Sequence, residues 1–160
     1  MADTPLIGKF VSTKLRTFLL AVCSFLSFNS EANDMRVVLD LVVFNYLDRP
    51  IFAVNVDGRG YEVSGAYSET GKSTTAGFEL QLGPKLVTWT LDGPKGAPRN
   101  GETVRNKNAL ELNQNRIVPG AKFLSVHIYP DDTVELFTSA RFPQASARGE
   151  REFANRKPAK

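Results

Sequence analysis

The chain holds one cysteine, Cys23, and one histidine, His127. This pair limits the chemistry available to it. A lone cysteine excludes an internal disulfide, and with a single histidine it excludes a structural zinc site of the Cys/His type. Ser125 lies two residues before His127, so a Ser-His-acid arrangement would have to start from these two. Side chains at i and i+2 of a strand stand about 6–7 Å apart. That exceeds hydrogen-bond reach between a nucleophile and its base, and the spacing reads as a histidine on a strand face beside aromatic residues. Asp131 and Asp132, with Glu135 nearby, offer carboxylates to a cation, but a calcium site needs about six or more oxygens from a shaped loop. A short turn presents too few, and they read as solvated turn carboxylates. A carboxylate pair for glycoside cleavage could meet in space from anywhere in the chain, but nothing selects one. No Gly-x-Ser-x-Gly elbow or phosphate-binding loop is present, and Gly58-x-Gly60 reads as a turn. The expectation is a protein with no catalytic set, no metal and no cofactor.

The residues left for function are those of recognition. Phe123, His127, Tyr129 and Phe137 share one face of the last hairpin, and Asp131 and Asp132 sit in its turn. Aromatic groups with polar tips are favoured at interface cores, so these six are the candidate partner-binding residues. The aromatic members would serve equally well as a second half of the domain core. The loops at 68–75 and 92–102 are further candidates for contacts. The net charge of +3 is mild. Much of the basic excess lies at the two ends, and no basic stripe marks a nucleic-acid groove. A protein partner is expected and a nucleic acid is not.

The elements that position these residues begin after a leader. Lys14 and Arg16 precede an uncharged apolar run, Thr17 to Phe28, of 12 residues. A membrane span needs about 20 residues and a signal-peptide core about 7–15. Ser30 and Ala32 fit the small-residue positions of a signal peptidase site, with cleavage after Ala32. Lipidation at Cys23 is the alternative, although Val22 fits a lipobox poorly. A buried or uncleaved N-terminal helix is a third reading. The expected organisation is a signal helix over 1–32, one domain over 33–143 and a polar, basic tail or short frayed helix over 144–160. The expected location is the periplasm or the exterior, or the outer membrane if Cys23 carries lipid. Membrane contact is expected only through the leader or that anchor.

From residue 37 the pattern switches to period two and β-branched residues. Val37 to Tyr46 reads as a central strand, apolar on both faces except for Asp40. Ile51 to Val56 follows, with Phe52, Val54 and Val56 on one face, then a tight turn at Asp57-Gly58 and a short strand at 61–66. Strands at 78–82 and 87–91 alternate cleanly, and Trp89 reads as a core anchor. One or two short strands are expected within 103–112. The final hairpin turns at Pro130-Asp131-Asp132, with Leu124, Val126, Ile128, Val134 and Leu136 on its core face. About seven to nine short strands with no long amphipathic helix between them predict an all-β fold, an antiparallel β-sandwich of immunoglobulin-like type. A small barrel is the alternative.

The string Phe44-Asn45-Tyr46-Leu47-Asp48-Arg49-Pro50-Ile51, followed by Val54-Asn55-Val56-Asp57-Gly58, resembles the opening motif of the DUF3304-type small exported bacterial proteins. Val87-Thr88-Trp89 and Val126-His127-Ile128-Tyr129-Pro130-Asp131-Asp132 resemble later parts of the same pattern, so the likeness spans about residues 37–142. Such proteins are often encoded beside type VI secretion effectors, lipase toxins among them. The resemblance therefore implies an immunity protein that binds and neutralises such an effector, and it carries over no catalytic residue. This chain departs from the pattern at Val22, which spoils the lipobox, and at 61–72, which is only modestly glycine-rich. An accessory or adhesion domain of the envelope is the alternative function, and a small hydrolase with a carboxylate pair a more remote one.

Overall fold

The computed structural model describes residues 35–67 and 69–155. Cys23 and Ala32 lie outside the described residues, as do residues 156–160. The described chain is mostly β: β1 (Arg36–Asn45), β2 (Ile51–Val56), β3 (Arg59–Ser64), β4 (Thr74–Gln81), β5 (Gly83–Lys85), β6 (Val87–Leu91), β7 (Thr103–Arg105), β8 (Leu110–Leu112), β9 (Phe123–Ile128) and β10 (Val134–Ser139), followed by one helix, α1 (Ala147–Ala154). Ten strands exceed the expected seven to nine because β5, β7 and β8 have only three residues each. Among the described residues no helix is long and apolar enough to cross a membrane.

The strands form two four-stranded sheets, ordered β10-β9-β1-β4 and β3-β2-β6-β7, and a β5-β8 ribbon. Neither large sheet closes into a barrel. One apolar core joins them: Leu41, Val43, Leu124, Val126 and Leu136 of the first sheet pack with Ile51, Val54, Val87, Trp89 and Leu91 of the second. Trp89 is fully buried, as its sequence position suggested.

The antiparallel expectation is corrected at one place. β1 and β9 run parallel, pairing Asp40 with Phe123 through to Asn45 with Ile128, whereas the other described pairings are antiparallel. A tight hairpin can only reverse the chain, but a long excursion through the second sheet lets β9 return in the direction of β1. β1 thus sits between β4 and β9 with both faces covered, which accounts for its nearly continuous apolar run.

Two irregularities correct the expected faces. In β2 the register shifts between Phe52 and Asn55, and Ala53 adopts φ 50°. The bulge re-aims the strand, so Ile51 joins Val54 and Val56 in the core while Phe52 is only half-buried. In β4 the register slips opposite Leu39–Leu41, at Gly77, whose φ is 66°. Asp40, the polar exception in β1, accepts the Gly77 N–H at 2.9 Å.

The last hairpin forms as expected. The Asp132 N–H donates to the Tyr129 carbonyl, the Tyr129 N–H to the Thr133 carbonyl, and Asp132 takes φ 63°. This is a three-residue loop with Pro130 leading a turn and Asp132 left-handed.

Candidate functional site: the outer face of the first sheet

Because β1, β9 and β10 alternate, each sends every second side chain away from the core. Val42 and Phe44 of β1 and the following Tyr46, with Ser125 and His127 of β9 and the following Tyr129, emerge on the outer face, with Phe123, Glu135 and Phe137 beside them. Val42, Phe44, Tyr46 and Tyr129 form a second apolar cluster, against which Tyr67, Phe123 and Ala145 pack. The sequence-predicted residues therefore do share a face, but its two ends differ.

The end at Tyr46, His127 and Tyr129 is closed. His127 is 1% exposed. Its ring stacks on Phe44 at 4.6 Å and meets the edge of Phe137 at 5.2 Å. Nδ1 lies 3.0 Å from the Tyr46 hydroxyl and Nε2 lies 3.0 Å from Ser125 Oγ. The expected separation of Ser125 and His127 is thus corrected. The strand rise fixes their Cβ atoms, but an imidazole leaning along the strand spans the gap.

The protons on this path can be assigned by counting. The Ser146 N–H donates to the Tyr46 oxygen, which leaves the Tyr46 proton for His127 Nδ1. Ser125 donates its proton to the Phe137 carbonyl at 3.3 Å, so it accepts from Nε2–H. The path runs one way, from the Ser146 amide through Tyr46, His127 and Ser125 to a β10 carbonyl, and it fixes the Nε2–H tautomer. Burial drives the His127 pKa down to about 3 and raises that of Tyr46. A neutral imidazole sealed between aromatic rings, with hydroxyls on both nitrogens and no carboxylate on either, stiffens the sheet.

A second path runs beside it. The Gly149 N–H donates to Ser146 Oγ, Ser146 to the Tyr129 hydroxyl at 2.7 Å, and Tyr129 to Glu135 at 2.7 Å. Burial first, then the neighbouring Glu135, raises the Tyr129 pKa.

Both paths start on the segment that the sequence suggests is a polar tail or frayed helix. Ser146 caps α1, and Gly149 lets the helix backbone lie directly on Tyr46. A Cβ at Gly149 would stand 2.0 Å from the Tyr46 ring. Arg148 crosses the Tyr129 ring with its guanidinium carbon 3.7 Å from the centroid. It also pairs with Asp131 at 2.9 Å, Glu135 at 3.6 Å and Glu152 at 3.8 Å. Asp131, which sequence reading left solvated, is therefore engaged. Partial burial would raise its pKa, but the Thr133 hydroxyl and amide and the Arg148 charge outweigh this and hold it low. Asp132 pairs with Lys107 at 2.7 Å. Among the described residues no three His, Cys, Asp or Glu side chains are grouped to hold a metal.

Compared with family models, with curated sequences and with solved structures, the chain matches none.

The other end of the face is open. Phe137 and Phe142 are 48% and 47% exposed. Phe142 follows β10, where the chain turns back across the sheet, and its ring meets the half-buried Phe123 edge-on at 5.5 Å. Sequence reading found Phe123 and Phe137 but missed Phe142, which lies beyond the strand and belongs to no alternating pattern. An open cleft of about 1100 Å³ lies elsewhere, lined by Arg49, Tyr67, Arg99, Pro130 and Phe153 among others. Its charges are largely taken up internally. Arg99 grips Glu102 with two nitrogens, and Arg49 donates to the carbonyls of Asp92 and Pro98, each at 2.7 Å. The 92–102 loop thus uses its polar groups to hold itself together.

Proposed function

We propose that this is an exported binding protein of immunity type, which neutralises a secreted effector by covering it. The observation that carries this reading is the pair of half-exposed phenylalanines, Phe137 and Phe142, displayed with Phe123 on a sheet whose other end is locked by buried hydrogen bonds. Aromatic anchors on a rigid support bind a partner at little ordering cost. Two sheets around one core, immunoglobulin-like in general build, supply that support. A blocking protein needs only a complementary patch, roughly 800 Å² on its side. The resemblance over residues 37–142 supplies the partner class: an effector of a type VI secretion system, such as a lipase, met in the periplasm after the leader is removed at Ala32.

The test is co-expression with the effector encoded beside it. The mature protein is expected to co-purify with the effector, abolish its toxicity and show no hydrolase activity of its own. Toxicity that is unchanged at equal expression overturns the reading. An envelope role would instead show as altered morphology or detergent resistance in a deletion strain grown alone.

A further inference from the structure

We propose that His127 is an acid-sensitive latch: a proton added to its imidazole undoes the Tyr46–Ser146 contact and releases α1 from the sheet. The inference goes beyond the binding reading and does not depend on it. The imidazole carries one hydrogen, on Nε2, directed at Ser125. A second proton can enter only at Nδ1, where the Tyr46 hydroxyl hydrogen already points across 3.0 Å. Nδ1–H is then a donor, and the Tyr46 oxygen has to accept it. The hydroxyl hydrogen must swing to the other side of that oxygen. That side is taken by the Ser146 N–H at 2.8 Å. Two hydrogens cannot share it, so the bond that ties the start of α1 to the end of β1 is lost.

The surroundings offer the imidazolium no counter-charge. Phe44 and Phe137 pack against the ring. Glu135 stands directly across the strands from His127, but its carboxylate serves the Tyr129 hydroxyl at 2.7 Å and Arg148 at 3.6 Å. Tyr67 and Tyr129 pack on Tyr46, and from α1 the charge of Glu150 reaches its hydroxyl without bonding the imidazole. The helix itself is lightly held. It has eight residues, of which Gly149 is the one buried, and so short a helix does not persist alone. Its further ties include the Ser146–Tyr129 hydroxyl bond, Arg148 across Tyr129, and Phe153 against Tyr67 at 4.6 Å. Segments with few buried contacts open at lower free energy than the core. Once α1 lifts, Tyr46 loses its cover, and the apolar face that reaches Phe137 grows. The direction with pH follows from linkage. Closed, His127 takes up its proton only near pH 3. In the open form water reaches the ring and restores its ordinary 6.5. Closure is therefore at full strength above about pH 6.5 and weakens as pH falls toward 3.

Amide hydrogen exchange of the full chain, corrected for the intrinsic rate, measures the ratio of open to closed α1. Between pH 7.5 and pH 5 that ratio is expected to rise about thirtyfold at residues 147–154. At each pH the helix should open at least tenfold more readily than the core strand Val87–Leu91. His127→Gln should remove the rise. Tyr46→Phe keeps the ring and deletes the shared oxygen, so its α1 should be more open at pH 7.5 and insensitive to acid. Glu135→Gln spares the imidazole and should keep the rise. Equal opening of 147–154 and 87–91 would mean unfolding of the whole domain and overturns the proposal. So does a rise that survives in His127→Gln or Tyr46→Phe, or one that vanishes in Glu135→Gln. The nitrogen shifts of the single imidazole give a check that needs no variant: a titration near pH 6.5 with α1 still closed also overturns it.

Discussion

The two ends of one sheet face are built from the same residue types and end in opposite states. At the closed end, Tyr46, His127 and Tyr129 have their polar tips joined in one-way hydrogen-bond paths, with Tyr46 directly beneath α1 and Phe44 stacked on His127. At the open end, Phe137 and Phe142 carry no polar tip, and half of each remains in water. Aromatic content therefore does not separate core from recognition surface. The difference lies in whether a later segment offers donors and a close enough approach. Gly149 offers that approach over Tyr46, and no described residue offers it over Phe137.

The largest contrast is expected from truncating one residue at each end. His127→Ala removes a packed ring and takes one of the two partners from each of the Tyr46 and Ser125 hydroxyls, at a cost of about 3 kcal/mol. Phe137→Ser should change stability by less than about 1 kcal/mol. Urea denaturation of both variants tests this, and equal losses would dissolve the distinction between the ends.

Acid should distinguish the ends without any substitution. His127 titrates near 3 in the fold and near its ordinary 6.5 when unfolded. Its folded pKa is depressed, so the stabilisation is fully present above about pH 6.5 and is lost as pH falls toward 3. By pH 5 the loss amounts to about 2 kcal/mol. His127→Gln should flatten the denaturation profile over that window, and a variant as acid-sensitive as the parent would refute the assignment.

Gly149→Ala forces a methyl group into the Tyr46 ring. A loss of about 1–2 kcal/mol is expected, together with faster amide exchange across 147–154 and little change at 123 or 137. Should exchange remain slow, α1 is not held by that approach. The smallest effect on stability is expected from Phe142→Ser, under about 0.5 kcal/mol. In calorimetry against the co-encoded effector the same variant should weaken binding at least tenfold.

Most of the strands were legible because burial on one face imposes period two, and β1 stood out because both its faces are covered. The bulges at Ala53 and Gly77 were not, since each depends on a partner strand that the local pattern cannot reveal. The parallel pairing of β1 with β9 was hidden for the same reason. Of the candidate site residues, Phe123, His127, Tyr129 and Phe137 were placed on the correct face. That His127 would be sealed and Phe137 open depended on residues 140–149, whose polar composition looks like a tail. Ser146 as a helix cap was the available clue. The value of Gly149 appears only when Tyr46 lies beneath it.

One consequence concerns the order of events during synthesis. The Tyr46 hydroxyl waits for an amide 100 positions later, and β1 waits for β9 as its parallel neighbour. Until residues 123–149 have emerged, the aromatic side of β1 is covered only by the segment around Tyr67 and Gly71. Such late, long-range closure slows folding and leaves sticky surface exposed in the meantime. A nascent chain paused before residue 146 is therefore the species most prone to self-association and most in need of a chaperone.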